Sequence, residues 1–349
     1  MYKGTGISKD QLSDDGEPCI LYGELYTKYK SETIREVISK TNIDNTKLVR
    51  SKANDVIIPC SGETAEDIAT ARCVLNGNIL LGGDLNIIRL HGYDGAFMSY
   101  QLNGKRKYDI AKVAQGVSVV HLYGEHLKGV KTINPCLEEQ KKIASLLALL
   151  DERISTQSKI IDKLQSLIKG IRNDVFGKLR KSVGFNAMIS DVLSYEQPQP
   201  YIVENTEYTA EGTPVLTANK AFVLGYTSET NGIYDKGDCI IFDDFTLDCK
   251  YVDFPYKIKS SAIKILTAKN KEILRYTFEF LKYLDLSTDE HKRHYIAETQ
   301  NQEFVLPTMQ IVRTIAHAFS ALSLRMESVV KQRNMFETQK QYLLRQMFI

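Results

Sequence analysis

The sequence predicts an α+β protein in which two mixed globular domains are joined by two long helices that pair as an antiparallel coiled coil. Three observations lead to this fold class. One segment recurs at an offset of 172 residues, both copies carry an apolar seam with a coiled-coil period, and the sequence before each copy is rich in strands and turns. We therefore expect a repeat with pseudo-twofold symmetry.

The repeat aligns residues 135–176 with residues 307–348 without a gap. Only seven of the 42 aligned pairs are identical, so the apolar pattern carries the argument. Apolar residues recur at alternating spacings of four and three, and they occupy nine of ten seam positions in the first copy and eight of ten in the second. This period is typical of a coiled coil. The predicted interface comprises Ile143, Leu147, Leu150, Ile154, Ile161, Leu164, Ile315, Phe319, Leu322, Met326, Phe336 and Leu343.

Of the three polar residues that interrupt the seam, Gln157 and Arg333 occupy non-equivalent positions of the repeat near the middle of the helices. In an antiparallel pair they would lie close together across the seam. Each helix is expected to begin just after a proline, Pro135 or Pro307, because a proline in the first turn needs no N–H partner. The alternative is that each helix packs separately on its own domain.

The domain boundaries follow from the change in sequence character. We expect globular domains at residues 1–133 and 182–306, and helices at 134–181 and 307–349. Short runs of apolar and β-branched residues between turn residues predict strands, and apolar periodicity predicts a helix in each domain. The expected strands lie at 56–59, 79–83, 85–90, 117–122, 239–242 and 260–266, and the expected helices at 106–114 and 272–284.

The composition, 43% hydrophobic and 25% charged, is typical of globular proteins. No apolar run approaches the roughly 18 residues that span a bilayer, and the start has no apolar core like that of a signal peptide. We therefore expect a cytoplasmic protein without a membrane partner. The six cysteines are scattered, with no Cys-x-x-Cys pair and no histidine at zinc spacing, which predicts neither a disulfide framework nor a metal site.

A net charge of +2 is too small to indicate nucleic-acid binding, so any DNA contact must come from local patches. Basic, aromatic, hydroxyl and amide side chains cluster in both domains, and such groups contact phosphates and base edges. For each of them, a solvated surface position or a structural hydrogen bond is at least as good an explanation. The candidate DNA contacts are Tyr26, Lys28, Arg50, Lys52, Arg106, Lys107, Thr217, Asn219, Lys220, Lys257, Lys259, Ser260, Ser261, Arg293 and His294.

The opening of the first helix carries a recognisable motif. The run Pro135-Cys136-Leu137-Glu138-Glu139-Gln140-Lys141-Lys142-Ile143-Ala144, followed by Leu150-Asp151, resembles the central conserved region of type I restriction specificity subunits. Residues 16–26, 214–220 and 240–246 are similar to the target-recognition domains of that family. The resemblance covers nearly the whole chain, with two departures. The first domain begins almost at once, and the second helix lacks the Leu-x-Glu-Gln pattern after Pro307.

The resemblance implies a non-catalytic subunit that reads double-stranded DNA. Each target-recognition domain would read a few base pairs, and the coiled coil would set the gap between the two halves of an asymmetric, bipartite site. The helices would dock two methyltransferase (M) subunits, and restriction/translocase (R) subunits would complete the complex. No cofactor is expected in this chain, because S-adenosylmethionine, ATP and Mg²⁺ would be bound by the partner subunits.

Two other functions stay open at this point. One is a coiled-coil adaptor that binds proteins without reading DNA. The other is a metal-dependent nuclease, because Asp243, Asp244, Asp248 and Lys250 place acidic residues ahead of an Asp-x-Lys sequence that could hold Mg²⁺. Carboxylates that cap turns explain these residues more simply. ATP hydrolysis is not expected, because the sequence contains no Gly-x-x-x-x-Gly-Lys-Ser/Thr phosphate-binding loop.

Overall fold

The chain forms two compact units, one made of Met1–Lys159 with Val330–Ile349 and the other of Ile160–Val329. The computed structural model describes residues 1–44, 46–116, 119–218, 221–290 and 292–348. Within those ranges, no helix is both long enough and apolar enough to cross a membrane.

The first unit combines short helices and short strands ahead of a long helix. A 3₁₀ turn lies at Lys9–Gln11. The helices are α1 (Glu24–Thr27), α2 (Ala65–Ile68), α3 (Gly95–Asn103), α4 (Lys107–Val113) and α5 (Gly124–Lys128), and the strands are β1 (Tyr2–Lys3), β2 (Leu12–Ser13), β3 (Glu17–Ile20), β4 (Thr33–Ile34), β5 (Ser39–Thr41), β6 (Asp55–Pro59), β7 (Ser61–Gly62), β8 (Arg72–Val74), β9 (Leu80–Leu81), β10 (Leu85–Ile88) and β11 (Val120–His121).

Strand β6 is the centre of the first unit. It lies inside the sheet β1-β10-β6-β8-β4, while β2-β5-β3-β9 form a second sheet and β7 pairs with β11. Val56 and Ile58 of β6 pack with Met98 of α3, whereas Ile57 packs on the opposite side with Ile20 of the second sheet. Because successive strand residues point to opposite faces, this unbroken apolar run covers both faces of β6.

The second unit continues from the long helix α6 (Leu137–Ser182) and ends in the long helix α9 (Met309–Gln346), both of which run through parts of both units. Short 3₁₀ turns lie at Gln199–Tyr201, Lys271–Ile273 and Thr299–Asn301. The remaining elements are α7 (Ile189–Val192) and α8 (Leu274–Leu284), with strands β12 (Ala187–Met188), β13 (Leu193–Glu196), β14 (Thr213–Leu216), β15 (Val223–Thr227), β16 (Cys239–Asp243), β17 (Cys249–Val252), β18 (Lys257–Ile258), β19 (Ile263–Ala268) and β20 (Glu303–Phe304).

The second unit repeats the plan of the first, with β16 in the place of β6. Strand β16 lies inside the sheet β13-β19-β16-β17, and β15-β14-β18 form a second sheet. Ile240 and Phe242 pack with Phe280 of α8, and Ile241 packs with Leu216 of the second sheet. Each second sheet contains one parallel pair, β3 with β9 in the first unit and β14 with β18 in the second. Both units are therefore α+β in the same way.

The strands and helices expected from the sequence are present with shifted ends. The helix expected at 272–284 is a 3₁₀ turn followed by α8, and the strand expected at 260–266 begins only at Ile263. The strand expected at 117–122 is β11, with residues 117 and 118 outside the described residues. Helix α3 was not expected. Most of its residues are buried, including Ser99 and Gln101, so it has no polar face to produce an amphipathic pattern.

Helices α6 and α9 pair antiparallel. In the first unit, Ala144 and Leu147 near the start of α6 share a core with Leu344 near the end of α9. In the second unit, Phe176 near the end of α6 shares a core with Val312 near the start of α9. All twelve residues of the expected interface are buried or half-buried. The antiparallel pair is thus confirmed, and separate packing of each helix is excluded.

A single buried amide fixes the start of α6. The Gln140 side chain donates from Nε2 to the Pro135 carbonyl at 2.7 Å and accepts the Asp94 N–H at Oε1 at 2.9 Å. Asp94 in turn caps α3 by accepting the Phe97 N–H. Gln140 therefore ties the helix entry to the globular part, which gives the glutamine of the sequence motif a structural reason.

A buried ion cluster joins the helix seam to the globular part of the first unit. Lys340 of α9 contacts the carboxylates of Glu32 and of Asp151 on α6, the second at 2.6 Å. Asp151 also accepts the hydroxyls of Ser31 and Tyr100, each at 2.7 Å. Burial works against a charged Lys340, but the two carboxylates outweigh it and raise its pKa. Burial likewise raises the pKa of Glu32, and Lys340 offsets part of that rise.

The second unit has a counterpart built from arginines. Glu279 of α8 accepts the guanidinium of Arg172 on α6 at 2.7 Å and that of Arg275 at 2.9 Å. Arg275 also donates to the hydroxyl of Ser323 on α9. Ser323 is the repeat equivalent of Asp151. In each unit, a polar cluster therefore ties the globular part to both helices.

Replacing Lys340 with methionine tests the first cluster. The change leaves Glu32 and Asp151 buried without their cation, and we expect the free energy of unfolding to fall by about 3–5 kcal/mol. Burial already raises the pKa of Glu32, and loss of the ammonium raises it further, so protonation stabilises the folded variant as the pH falls. Denaturant unfolding should show a smaller deficit at mildly acidic pH than at neutral pH.

Lys331→Met is the matched control for this experiment, because Lys331 is exposed on the same helix. It should leave the free energy of unfolding nearly unchanged. A Lys340→Met deficit that is independent of pH, or equal to that of the control, would contradict the account of the cluster.

Two polar atoms of the seam in the first unit are buried without a hydrogen-bond partner, Oε1 of Gln157 and Nε of Arg333. Gln157 follows Asp151 by six residues and Arg333 precedes Lys340 by seven. Because Asp151 contacts Lys340 and the helices are antiparallel, these similar spacings place Gln157 and Arg333 opposite each other along the pair. This supports the expectation that they lie close together.

The double variant Gln157→Val, Arg333→Ile inserts the residue types found at the repeat counterparts, Val329 and Ile161. Both counterparts are buried in the second unit. The variant removes two buried atoms that have no hydrogen-bond partner, and the ion pair that it also removes, between Arg333 and Glu337 at 3.6 Å, is long and partly exposed. We expect the free energy of unfolding to rise by about 1–3 kcal/mol, measured by thermal denaturation. A lower melting temperature would mean that the polar pair stabilises the seam.

Candidate nucleic-acid interface

Several candidate contacts of the second unit gather at the C-terminal end of β16. The Asp244 N–H donates to the Ala262 carbonyl at 2.8 Å, and the His294 N–H donates to the Asp244 carbonyl at 3.0 Å. These hydrogen bonds place the chain before β19 on one side of Asp244 and the chain around Arg293 on the other. We call this surface, which is made of Asp244, the chain before β19 and the chain around Arg293, the β16 edge. The candidates that reach solvent there are Lys259, Ser260, Ser261 and Arg293.

The carboxylate of Asp244 holds the β16 edge in place. The residue is 1% exposed, and its Oδ1 accepts the N–H groups of His294 at 3.0 Å and Tyr295 at 2.7 Å. The ammonium of Lys264, itself buried, lies 3.5 Å from Oδ2. Asp244 therefore satisfies two buried N–H groups, compensates a buried cation and fixes the backbone beside Arg293.

Asp243 has a separate structural role. Its Oδ1 accepts the N–H groups of Phe245 at 2.9 Å and Thr246 at 3.0 Å, which closes the turn after β16. Among the residues that the structure describes, no three or more His, Cys, Asp or Glu side chains come together as a metal site. The nuclease hypothesis thus loses two of the carboxylates on which it depends.

Lys257 is turned inward. It is 1% exposed, its ammonium donates to the Asn231 carbonyl at 2.9 Å, and it pairs with Glu229 at 2.5 Å. The hydrogen bond from Lys257 holds the pKa of Glu229 below its ordinary value. The cation is therefore occupied within the fold.

The remaining candidates of the second unit also lie away from solvent or outside the described residues. His294 is buried, and its Nδ1 lies 2.9 Å from the Glu298 carboxylate, a hydrogen bond that raises the pKa of the histidine. Thr217 is buried as well. Asn219 and Lys220 lie outside the described residues.

In the first unit, three candidate cations are paired with acids. Lys28 donates to the carboxylate of Glu24 at 2.7 Å and to the Ser39 hydroxyl at 2.6 Å. Arg50 pairs with Glu17 at 2.5 Å, and Arg106 pairs with Asp109 at 3.4 Å. The pairs of Arg50 and Arg106 are partly exposed, and such pairs are weak and can exchange for a phosphate, whereas Lys28 meets a buried carboxylate.

The other three candidates of the first unit are separated along the fold. Tyr26 donates its hydroxyl to the Ser61 carbonyl at 3.2 Å, next to the C-terminal end of β6. Lys52 is exposed before the opposite end of β6, and Lys107 is half-buried at the start of α4. Four candidates of the second unit thus share the β16 edge, whereas the candidates of the first unit do not gather at one edge. Sequence reasoning missed Asp244 as an anchor, although an acid directly after a buried strand was a usable signal.

Comparison with known proteins gives two informative matches. The chain is 43% identical over 126 residues to the specificity subunit of the type I restriction enzyme EcoR124I/EcoR124II of Escherichia coli, a match covering 34% of this chain and 31% of that protein. It is 27% identical over 158 residues to the specificity subunit of the type I restriction enzyme MjaVIII of Methanocaldococcus jannaschii, a match covering 45% of this chain and 35% of that protein. These relatives are type I restriction specificity subunits. The resemblance drawn from the sequence is therefore confirmed. The chain spans only about a third of the length of these type I specificity subunits, and no family model matches it.

The fold of type I specificity subunits matches over nearly the whole chain. The S subunit of the M. genitalium type I system aligns with 100% of this chain and 93% of its own, at a TM-score of 0.66 and 16% identity. A chain from a structure of complex assembly and conformational transition in a type I system aligns with 98% of this chain and 93% of its own. Its TM-score is 0.51 and its sequence identity 12%. These likenesses confirm the fold class.

The anchoring role of Asp244 is testable with Asp244→Ala. The variant removes the acceptor of the Tyr295 N–H and the carboxylate that compensates the buried Lys264 ammonium, while the Asp244 carbonyl still accepts the His294 N–H and Gln197 still accepts from Lys264. We therefore expect faster hydrogen–deuterium exchange at residues 292–301 and a loss of about 3–5 kcal/mol in unfolding free energy. Asp248→Ala removes the same charge from the same hairpin and should change neither quantity much. Equal exchange at 292–301 in both variants would contradict the role given to Asp244.

Proposed function

We propose that the chain is the DNA sequence-specificity subunit of a type I restriction-modification complex. In this proposal, residues 1–133 and 182–306 are target-recognition domains, and residues 134–181 and 307–349 are the helices that connect them. The observation that carries the proposal is the repeated α+β plan with unlike exposed residues, in a chain similar to type I specificity subunits.

Each domain reads one half of a bipartite site in double-stranded DNA. In the second domain, the β16 edge presents Lys259, Ser260 and Arg293 to solvent. Lysine supplies a charge for phosphates, while serine and arginine also reach base edges in the major groove. Because the first domain carries different residues, the two half-sites differ and the whole site is asymmetric.

The helices dock the partner subunits. Exposed apolar residues support this role, with Leu146 and Leu149 of α6 at 44% and 59% exposure in the first unit, and Leu167 and Leu324 at 52% and 66% in the second. The partners are two methyltransferase subunits and the restriction/translocase subunits. They bind S-adenosylmethionine, ATP and Mg²⁺, whereas this chain holds no cofactor and catalyses no step. The complex acts on DNA in the cytoplasm.

The alternative is a coiled-coil adaptor that reads no DNA. The adaptor and the DNA reader would use the same helices and exposed leucines, but the adaptor does not explain the exposed basic and hydroxyl residues of the β16 edge. Retention of the protein on mixed DNA, lost steeply as salt rises, separates the two functions in favour of the DNA reader.

A methylation map of the host genome, made with and without this gene, tests the function directly. We expect removal of the gene to abolish methyladenine at one two-part motif. An unchanged map in cells that express the chain and its methyltransferase partner would favour the adaptor.

Arg293→Ala tests the β16 edge in DNA binding. We expect affinity to fall by about 1–3 kcal/mol, with a shallower salt dependence if the guanidinium contacts a phosphate. Lys269→Ala is the control, because Lys269 is exposed just beyond the opposite end of β19. Equal affinity and equal salt dependence of the two variants would remove Arg293 from the proposed contacts.

A further inference from the structure

The β16 edge of the second unit has a structural equivalent in the first unit. The two second sheets provide the first point of correspondence. The Gly82 N–H donates to the Ile20 carbonyl at 2.9 Å, just as the Lys259 N–H donates to the Leu216 carbonyl at 3.1 Å. Each of these bonds continues the parallel pair of its second sheet.

The central strands provide the second correspondence. Beyond β6, the Cys60 N–H donates to the Asp84 carbonyl at 2.7 Å, and beyond β16 the Asp244 N–H donates to the Ala262 carbonyl at 2.8 Å. In both units, the donor directly follows the central strand and the acceptor directly precedes its neighbour, β10 or β19. Cys60 therefore occupies the place of Asp244.

In each unit, a third segment is hydrogen-bonded to the residue that follows the central strand. The Leu122 N–H donates to the Cys60 carbonyl at 2.8 Å, which matches the bond from His294 to Asp244 described above. The residues that precede these two donors are His121 and Arg293, and both are exposed. Sequence reasoning missed His121 because nothing around it resembles a basic cluster.

The surroundings of His121 suit contact with base edges. His121 pairs with Ser61 across β11 and β7, and the Ser61 carbonyl accepts the hydroxyl of Tyr26. The Ser61 hydroxyl donates to Asp84 at 2.8 Å. The Tyr123 ring, 46% exposed, stacks on the imidazole with centroids 6.3 Å apart. Donors and acceptors thus stand together on one surface, as contact with base edges requires, whereas a phosphate needs donors alone.

We propose that His121 contacts DNA in the half-site read by the first domain, at the place that Arg293 takes in the second. The inference rests on the proposed function and adds to it a contact residue of the first domain. The two segments are held by different means. The Asp244 carboxylate fixes the segment of Arg293, and the pairing of β7 with β11 fixes that of His121.

The experiment replaces the chromosomal gene with His121→Ala, Arg293→Ala or His91→Ala and maps methyladenine in each strain. The fraction of sites methylated is tabulated by the base at every position of both half-sites. His91 is the matched control, because it is an exposed histidine of the first unit just beyond the opposite end of β10. The melting temperature of each full-length variant is measured alongside.

We expect His121→Ala to change base preference in one half-site by about fivefold or more, the effect of one lost base contact. Arg293→Ala should change only the other half-site, and His91→Ala should change neither. A uniform loss at all sites, an unchanged profile, or an effect in the same half-site as Arg293→Ala would each overturn the assignment of His121. Independence of the wild-type map from this gene would instead overturn the proposed function, and the inference with it.

Discussion

The burial of charge at the helix seam is the constraint on which the first unit depends. Lys340 occupies a seam position where an apolar residue would be expected. Its buried ammonium is stable there only because the carboxylates of Glu32 and Asp151 contact it. These three residues come from the globular part, from α6 and from α9. None of the three segments can shift without leaving a buried charge unpaired, so the cluster specifies one arrangement of them.

The long helices could be predicted from the sequence because their signal is local and periodic. The seam from Ile143 onward repeats often enough to identify both helices and their pairing. The partners of Lys340 could not be predicted in the same way, because Glu32 lies 308 residues away in the chain and no period connects them. Helix α3 was missed for a related reason: buried on nearly all sides, it lacks the alternation of polar and apolar residues that marks a surface helix.

The candidate site was only partly predictable, because residue type does not determine exposure. Lys257 and Lys259 are two residues apart and chemically alike, yet one is buried against Glu229 and the other faces solvent. Residues two apart in a strand point to the same face, so strand alternation does not separate them. The difference arises because β18 ends at Ile258 and Lys259 lies beyond it, and that boundary becomes certain only when the sheet is known. The proposal for His121 could not be made from the sequence, since it rests on a comparison of hydrogen bonds between two units that share little sequence.

The central strand of each unit is covered on both faces, so its side chains are all committed to the core, whereas the exposed residues in the segments beyond its end can vary. Substitutions at residues such as Ser260 or Arg293 alter what the surface offers to a partner without opening a cavity. Under the proposed function, such substitutions would change the DNA sequence that is read while the stability of the domain stays nearly constant. Diversification of sequence preference would then meet little constraint from the fold.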